Sequence, residues 1–178
     1  MNTSDSSVET PVVPTTTTQR THPAAWLWLS VAVIALDQAT KFLVLRLLEL
    51  YQRVEILPVL NFTRLHNTGA AFSLLAGADG WQRWFFIGLA FVVSTILIIW
   101  IFRLPRGDKL LSMALALILG GAIGNVIDRI VYGHVIDFIQ VHWQDAYFPA
   151  FNVADSAITI GAGLLILDAL RGGGVKSA

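Results

Sequence analysis

Four stretches of this chain are so continuously apolar that hydrocarbon is the solvent they suit. Crossing ~30 Å of bilayer core takes about 20 residues of helix. Roughly Ala24–Leu45, Trp84–Phe102, Leu110–Val131 and Phe151–Leu170 reach that length. Apolar residues make up 55% of the 178 and charged ones only 13%, so no amphipathic pattern of a small soluble domain competes with this reading. The first run differs from a secretory signal: it is too long, carries Asp37 and Lys41, and has no small-residue cleavage site after it. It reads as a retained span. Twelve basic and twelve acidic side chains cancel, which leaves no basic field for nucleic acid. With no cysteine, disulfides, thiolate chemistry and Cys-ligated metals are excluded.

The chain divides into a Ser/Thr/Pro-rich tail over 1–22 expected to be disordered, a four-span region over 23–171, and a short C-terminal tail over 172–178. Basic residues orient the spans. Arg103, Arg106 and Lys109 crowd the connection between spans two and three, whereas Ile130 to Ala150 has no Lys or Arg. That bias puts both termini in the cytoplasm and the first and third connections outside. In the first outer connection Leu60 and Phe62 alternate with Asn61 and Thr63, and Asn67-Thr68-Gly69 supplies turn chemistry, so a small extended or β element is expected there. Phe138 to Phe148 mixes Trp143 and Tyr147 with Gln140 and His142 and suggests an interfacial helix on the outer face. The fold class is an all-α membrane protein, a four-helix bundle carrying these two outer elements.

Polar residues concentrate at one depth. At 1.5 Å rise per residue, Asp37 lies ~16 Å and Lys41 ~22 Å from the inner boundary, and Asn125, Asp128 and Arg129 at ~22–28 Å. Span four runs back, placing Asn152 and Asp155 at ~28 and ~24 Å, with Asp137 a few residues beyond span three. Charge in hydrocarbon costs on the order of 3 kcal/mol per residue, so such a group is a candidate site. Asp37 with Lys41, Asn125 with Asp128 and Arg129, and Asn152 with Asp155 are each spaced to share a helix stripe. The pairs Gly120/Gly124 and Ala157/Gly161 permit close helix approach, as in many bundles.

The motifs carrying these residues, DQATK (37–41), NTGAAF (67–72), GGAIGNVIDR (120–129), HVIDF (134–138) and FNVADSAI (151–158), together resemble lipoprotein signal peptidase, the bacterial signal peptidase II family of membrane aspartyl proteases. Each motif is weak alone; five in order, from about Trp26 to Leu170, are specific. The resemblance implies Asp137 and Asp155 as the catalytic pair, with Asp37, Lys41, Asn67, Asn125, Asp128, Arg129 and Asn152 binding substrate or supporting the pair. It also implies cleavage of prolipoproteins just before a diacylglyceryl-modified cysteine, inhibition by globomycin-type peptides, contact with membrane lipids, a place in the cytoplasmic membrane with the site at its periplasmic interface, and no cofactor. A monomer is expected.

Two neighbouring carboxylates share one proton more readily than both ionise, so one can act as base on water while the other polarises a carbonyl. Other readings stand beside this one. Asp155 suits a helix N-terminus, Asn152 suits a cap, Asn67 and Asn125 suit backbone satisfaction, and Asp37–Lys41 and Asp128–Arg129 suit ion pairs that fix the bundle. His22, His66, His134 and His142 have no ligand spacing, so no metal site is expected. A proton-coupled transporter would need acids reaching both faces, and span two offers only Ser94 and Thr95 at depth. A non-catalytic assembly subunit would not need two aspartates at one level.

Overall fold

The computed structural model describes residues 21–69 and 80–172. A 3-10 turn, Pro23–Trp26, opens onto α1 (Leu27–Leu47); β1 (Arg53–Leu57) and β2 (Leu60–Asn67) follow, then α2 (Trp81–Arg103), α3 (Lys109–Val131), β3 (Val135–Trp143), β4 (Ala146–Tyr147) and α4 (Val153–Leu170). The four helices, α1 together with its leading turn, are each long and apolar enough to cross a membrane. Most of the expected disordered tail (1–20), the end of the NTGAAF motif (70–72) and most of the C-terminal tail (173–178) lie outside the described residues.

Sequence explains where the helices stop. Pro105 follows α2 and lacks the N–H needed to continue it. Gly107, at φ +93°, turns the chain into α3, and Gly133, at φ +84°, turns it out again. At the far end of α3, Arg83 Nη2 reaches across from α2 and donates to the Ile130 carbonyl at 2.9 Å, satisfying an otherwise unpaired acceptor.

Helix α3 is the hub. It packs against α1, α2 and α4 and carries the fully buried Ala114, Leu115 and Ala116. Large side chains on the other helices face outward instead, among them Trp84, Phe91, Ile166 and Leu170, as a helix touching lipid requires. Gly121 lets α3 and α4 meet. A Cβ there would collide with the Ala154 carbonyl oxygen and come within 2.7 Å of Ile158 Cγ1. Gly121→Ala is therefore expected to destabilise the protein by about 1–3 kcal/mol, read as a lowered thermal midpoint in detergent. Gly163→Ala, with nothing within 4 Å of the added carbon, should leave the midpoint unchanged or slightly raised.

The expected β element is a four-stranded antiparallel sheet in the order β1-β2-β3-β4. Here the sequence reading needs correction: the interfacial helix expected over Phe138–Phe148 is strand. Ile136 and Phe138 point one way and join Val44 in a small apolar core, and Asp137 points the other way, the period-two alternation of a strand. Register pairs Leu65 with Asp137 and His66 with Ile136, so β2 absorbs the backbone donors and acceptors that a helix would have paired internally. The expected aromatic character survives at the tip, where Trp143, Tyr147 and Phe148 are exposed.

Candidate active site

Lys41 is the centre from which the site can be built. Its ammonium group lies 2.8 Å from Asp37 Oδ2 and 2.8 Å from Asp128 Oδ2, with all three side chains essentially inaccessible. The i,i+4 partner, Asp37, was legible in the sequence; the second was not. Sequence adjacency suggests Arg129 as the partner of Asp128, but successive helix residues point about 100° apart, and Arg129 turns elsewhere. Arg129 Nη2 donates to the Gly69 carbonyl at 2.8 Å and Nη1 to Asn125 O at 3.3 Å, while the guanidinium carbon stands 5.0 Å over the Phe86 ring. It ties the turn after β2 to the bundle.

Two more contacts lock the carboxylates of this triad to other elements. Asp37 Oδ1 accepts the Ala154 N–H at 2.9 Å, one of the orphan donors at the start of α4. Asp128 Oδ2 accepts the Ile136 N–H at 3.1 Å and holds the beginning of β3. Gln38, which sequence reasoning passed over, donates to Asp37 Oδ2 at 3.2 Å, to Asp128 Oδ1 at 3.0 Å and to Gly124 O at 3.1 Å. Its signal was present: an amide one residue from Asp37 inside a span is itself expensive unless satisfied.

From Lys41 the order passes outward through amides. Lys41 Nζ donates to Asn125 Oδ1 at 3.1 Å. An ammonium has no acceptor capacity, so this contact fixes which end of the Asn125 amide faces it, and Asn125 Nδ2 is left to donate to Asp155 Oδ1 at 2.8 Å. Asn152 is oriented in a different way. It caps α4, with its Oδ1 accepting the Asp155 N–H at 2.9 Å and Asp155 Oδ2 receiving the Asn152 N–H at 3.3 Å, a reciprocal capping box. Its Nδ2 is then free to donate to Asp137 Oδ1 at 2.8 Å, with a longer contact to Asn125 Oδ1 at 3.3 Å. Asn67, the last residue of β2, donates to Asp137 Oδ2 at 3.0 Å, and its own Oδ1 accepts the Gly69 N–H.

All nine residues singled out from sequence thus join one network, contributed by α1, α3, α4, β2 and β3. Asp137 is 3% exposed, and Asp155 is half-buried. Burial pushes the Asp137 carboxyl up to about 7, and the charge of Asp155 pushes the same way, against the hydrogen bonds from Asn67 and Asn152. A carboxyl raised in this way keeps its proton at neutral pH and below and gives it up as pH rises through about 7. If protonated Asp137 is the form that works, turnover should be sustained below about pH 7 and decline on the alkaline side, checked by a pH–rate profile of cleavage. Native stability follows the same sign: the folded state holds this proton more tightly than the unfolded chain, so stability owed to it is lost as pH rises through about 7.

Among the histidines, His66 and His134 lie face to face, ring centroids 3.8 Å apart, which spacing alone did not reveal. Among the described residues no group of three or more His, Cys, Asp or Glu side chains is placed to hold a metal ion.

Residues 29–171 match the family model for signal peptidase (SPase) II. The chain belongs to the signal peptidase II family. It is thereby placed among proteases that remove signal peptides, and its four apolar helices make it a multi-pass bacterial membrane protein. The chain is similar to the lipoprotein signal peptidase of Pseudomonas putida, 57% identical over 149 residues that cover 83% of this chain and 87% of that protein. It is 51% identical to that of Alteromonas mediterranea over 152 residues, covering 85% and 84%. A bacterial membrane enzyme solved by the in meso method at 2.3 Å superposes with a TM-score of 0.77 at 31% identity, covering 86% of this chain and 92% of that one. A second such enzyme, solved at 1.9 Å, gives 0.72, also at 31% identity. The family-model match spans the whole network, from Asp37 to Asp155.

Proposed function

We propose that this signal peptidase is an aspartic endopeptidase that removes signal peptides from diacylglyceryl-modified prolipoproteins, cutting just before the lipidated cysteine, with Asp137 and Asp155 as the reacting pair. The observation that supports it most is the convergence of two carboxyls from β3 and α4, each held by an asparagine amide whose direction is already fixed by a cation or a helix cap. Such preorganisation has little purpose for a purely structural pair.

The chemistry follows from one shared proton. The ionised carboxylate takes a proton from water as the water oxygen bonds to the scissile carbonyl carbon, while the protonated carboxyl donates to the carbonyl oxygen. In the collapse of the tetrahedral intermediate the C–N bond breaks, and the proton taken from water passes to the departing amine. The proton lent to the carbonyl oxygen returns to the pair, and the signal peptide leaves with a new carboxyl group. Raising the first acid by burial and by its neighbour's charge is what makes this division of labour available near neutral pH.

The site lies at the sheet end of the bundle, away from the basic connection Arg103 to Lys109. With that connection cytoplasmic, the termini are cytoplasmic and the site opens at the periplasmic interface. Water then reaches the pair while an acylated substrate stays in the membrane. Asn67 and Arg129 secure the turn beside Asp137, and globomycin-type peptides are expected to compete for the same opening. No cofactor enters the scheme, and one copy of the chain supplies every group named.

The test is cleavage by the purified protein, in lipid, of a proform carrying diacylglyceryl on its cysteine and of the same proform without it. Release of the signal peptide from the lipidated form alone, blocked by globomycin, is the expected result. Equal cleavage of both forms would refute the substrate assignment, and no cleavage of either would refute the reading as a whole.

A further inference from the structure

The end of α1 nearest the sheet does not lie flush against it. Leu43, Val44 and Leu47 of α1 face Ile56 of β1, Phe62 of β2 and Phe138 of β3 across a groove of about 260 Å³. Thr40 is its single polar lining residue, and its hydroxyl is already spent on the Leu36 and Asp37 carbonyls within α1. Water in such a groove would find almost no partner, so an apolar occupant is favoured over a wet one.

Which occupant is decided by the direction in which the groove faces. Leu43 and Leu47 are 54% and 74% exposed on a helix that spans the membrane, so its mouth opens onto hydrocarbon. It also lies behind the site. Along β3, Asp137 turns to Asn67 and Asn152, whereas Phe138 turns the opposite way to pack with Val44 and to meet the Phe62 ring edge-on at 6.1 Å. An acyl group on a substrate held at Asp137 would have β3 between itself and the groove. A lipid of the surrounding leaflet has no such obstacle. Where α1 leaves the hydrocarbon, Arg46 lies over the Phe42 ring at 5.0 Å, and Arg64 is held by donation to the Leu48 carbonyl at 3.1 Å. Glu49 is exposed on the same turn. Two cations and one anion at that level suit a zwitterionic phosphate-bearing headgroup.

We propose that one acyl chain of a membrane phospholipid is resident in this groove and wedges the sheet against α1 from the side opposite Asp137. The chain covers Leu43 and Leu47 of α1 and Phe62 of β2, which are otherwise exposed, and so supports the sheet that positions Asp137. The inference depends on the membrane placement of α1 and not on the aspartic mechanism.

The full chain, reconstituted in phosphatidylethanolamine vesicles containing a trace of phosphatidylethanolamine with a diazirine midway along one acyl chain, is irradiated and digested, and the labelled peptides are identified. Labelling should concentrate on 40–48 and 54–62 relative to lipid-facing α2. Val54→Trp, which narrows the groove, should lower that labelling about tenfold, the equivalent of roughly two methylenes no longer buried, with α2 labelling unchanged. Ile56→Phe provides a second variant should Val54→Trp fail to fold, judged by its thermal midpoint. Labelling spread evenly over α1, α2 and α4, or unaltered in the folded groove variant, would overturn the proposal. Concentration of label in the groove only when the probe is a lipidated peptide and not the phospholipid would also overturn it, and would assign the groove to substrate.

Discussion

Asp137→Asn and Asp155→Asn are each expected to lower the cleavage rate of a lipidated proform by about 10³-fold or more, within the range that a positioned general acid or base contributes. Substitution by asparagine keeps the shape of the side chain but removes its ability to exchange a proton. The protein itself should survive. Asp137 is held in a place that disfavours its charge, burial and Asp155 both opposing ionisation, so a neutral residue there relieves a cost as well as losing hydrogen-bond quality. Thermal midpoints within a few degrees of the parent, together with the loss of turnover, separate chemistry from folding. The two substitutions combined should cost little more than either alone, because groups that act as a unit are not additive. A double variant far slower than both singles, each still partly active, would mean that the aspartates work independently.

The second large effect is expected at Lys41. Its ammonium is the one ion-pair partner that Asp37 and Asp128 have among the described residues. Lys41→Met leaves two buried carboxylates facing one another without a cation, and breaking a buried pair from one side costs about 3–5 kcal/mol. The expected readout is a large fall in thermal midpoint or in the yield of folded protein. Lys41→Met combined with Asp128→Asn should recover part of that stability, because removing both partners is much less costly than removing one. Activity should not recover with it. Without the ammonium only the longer 3.3 Å contact from Asn152 Nδ2 still directs the Asn125 amide toward Asp155, so the stabilised double variant should remain slow. Full recovery of turnover would show Lys41 to be a scaffold residue alone.

The sequence made the coarse architecture legible because membrane spans are set by length and composition, and both are local properties. The clustering of polar groups at one level was legible for a similar reason, since helix rise converts position into depth. Long-range pairing was not. Asp128 is adjacent to Arg129 in sequence, yet its cation comes from a residue 87 positions earlier in the chain, and no helical periodicity encodes that. The strand at Val135–Trp143 was misread because its aromatic, half-polar composition fits a membrane surface in either conformation. What decides it is the edge of β2, whose partner residues lie 68 to 81 positions earlier. Gln38 was overlooked between two charged neighbours, although its three contacts make it a joint between α1 and α3. The five motifs placed the candidate residues more sharply than physical reasoning alone, which by itself left caps and structural ion pairs as open readings.

The central claim is that Asp137 and Asp155 behave as one titrating pair. It can be tested most directly by following the Asp137 carboxyl carbon by NMR through a pH titration, in protein labelled at aspartate, with and without Asp155→Asn. With Asp155 present, Asp137 should titrate far above the ordinary aspartate range, near 7. With Asp155 neutralised, it should move downward yet stay raised, because burial is the larger cause and remains. An Asp137 titration identical in the two proteins would contradict the pairing.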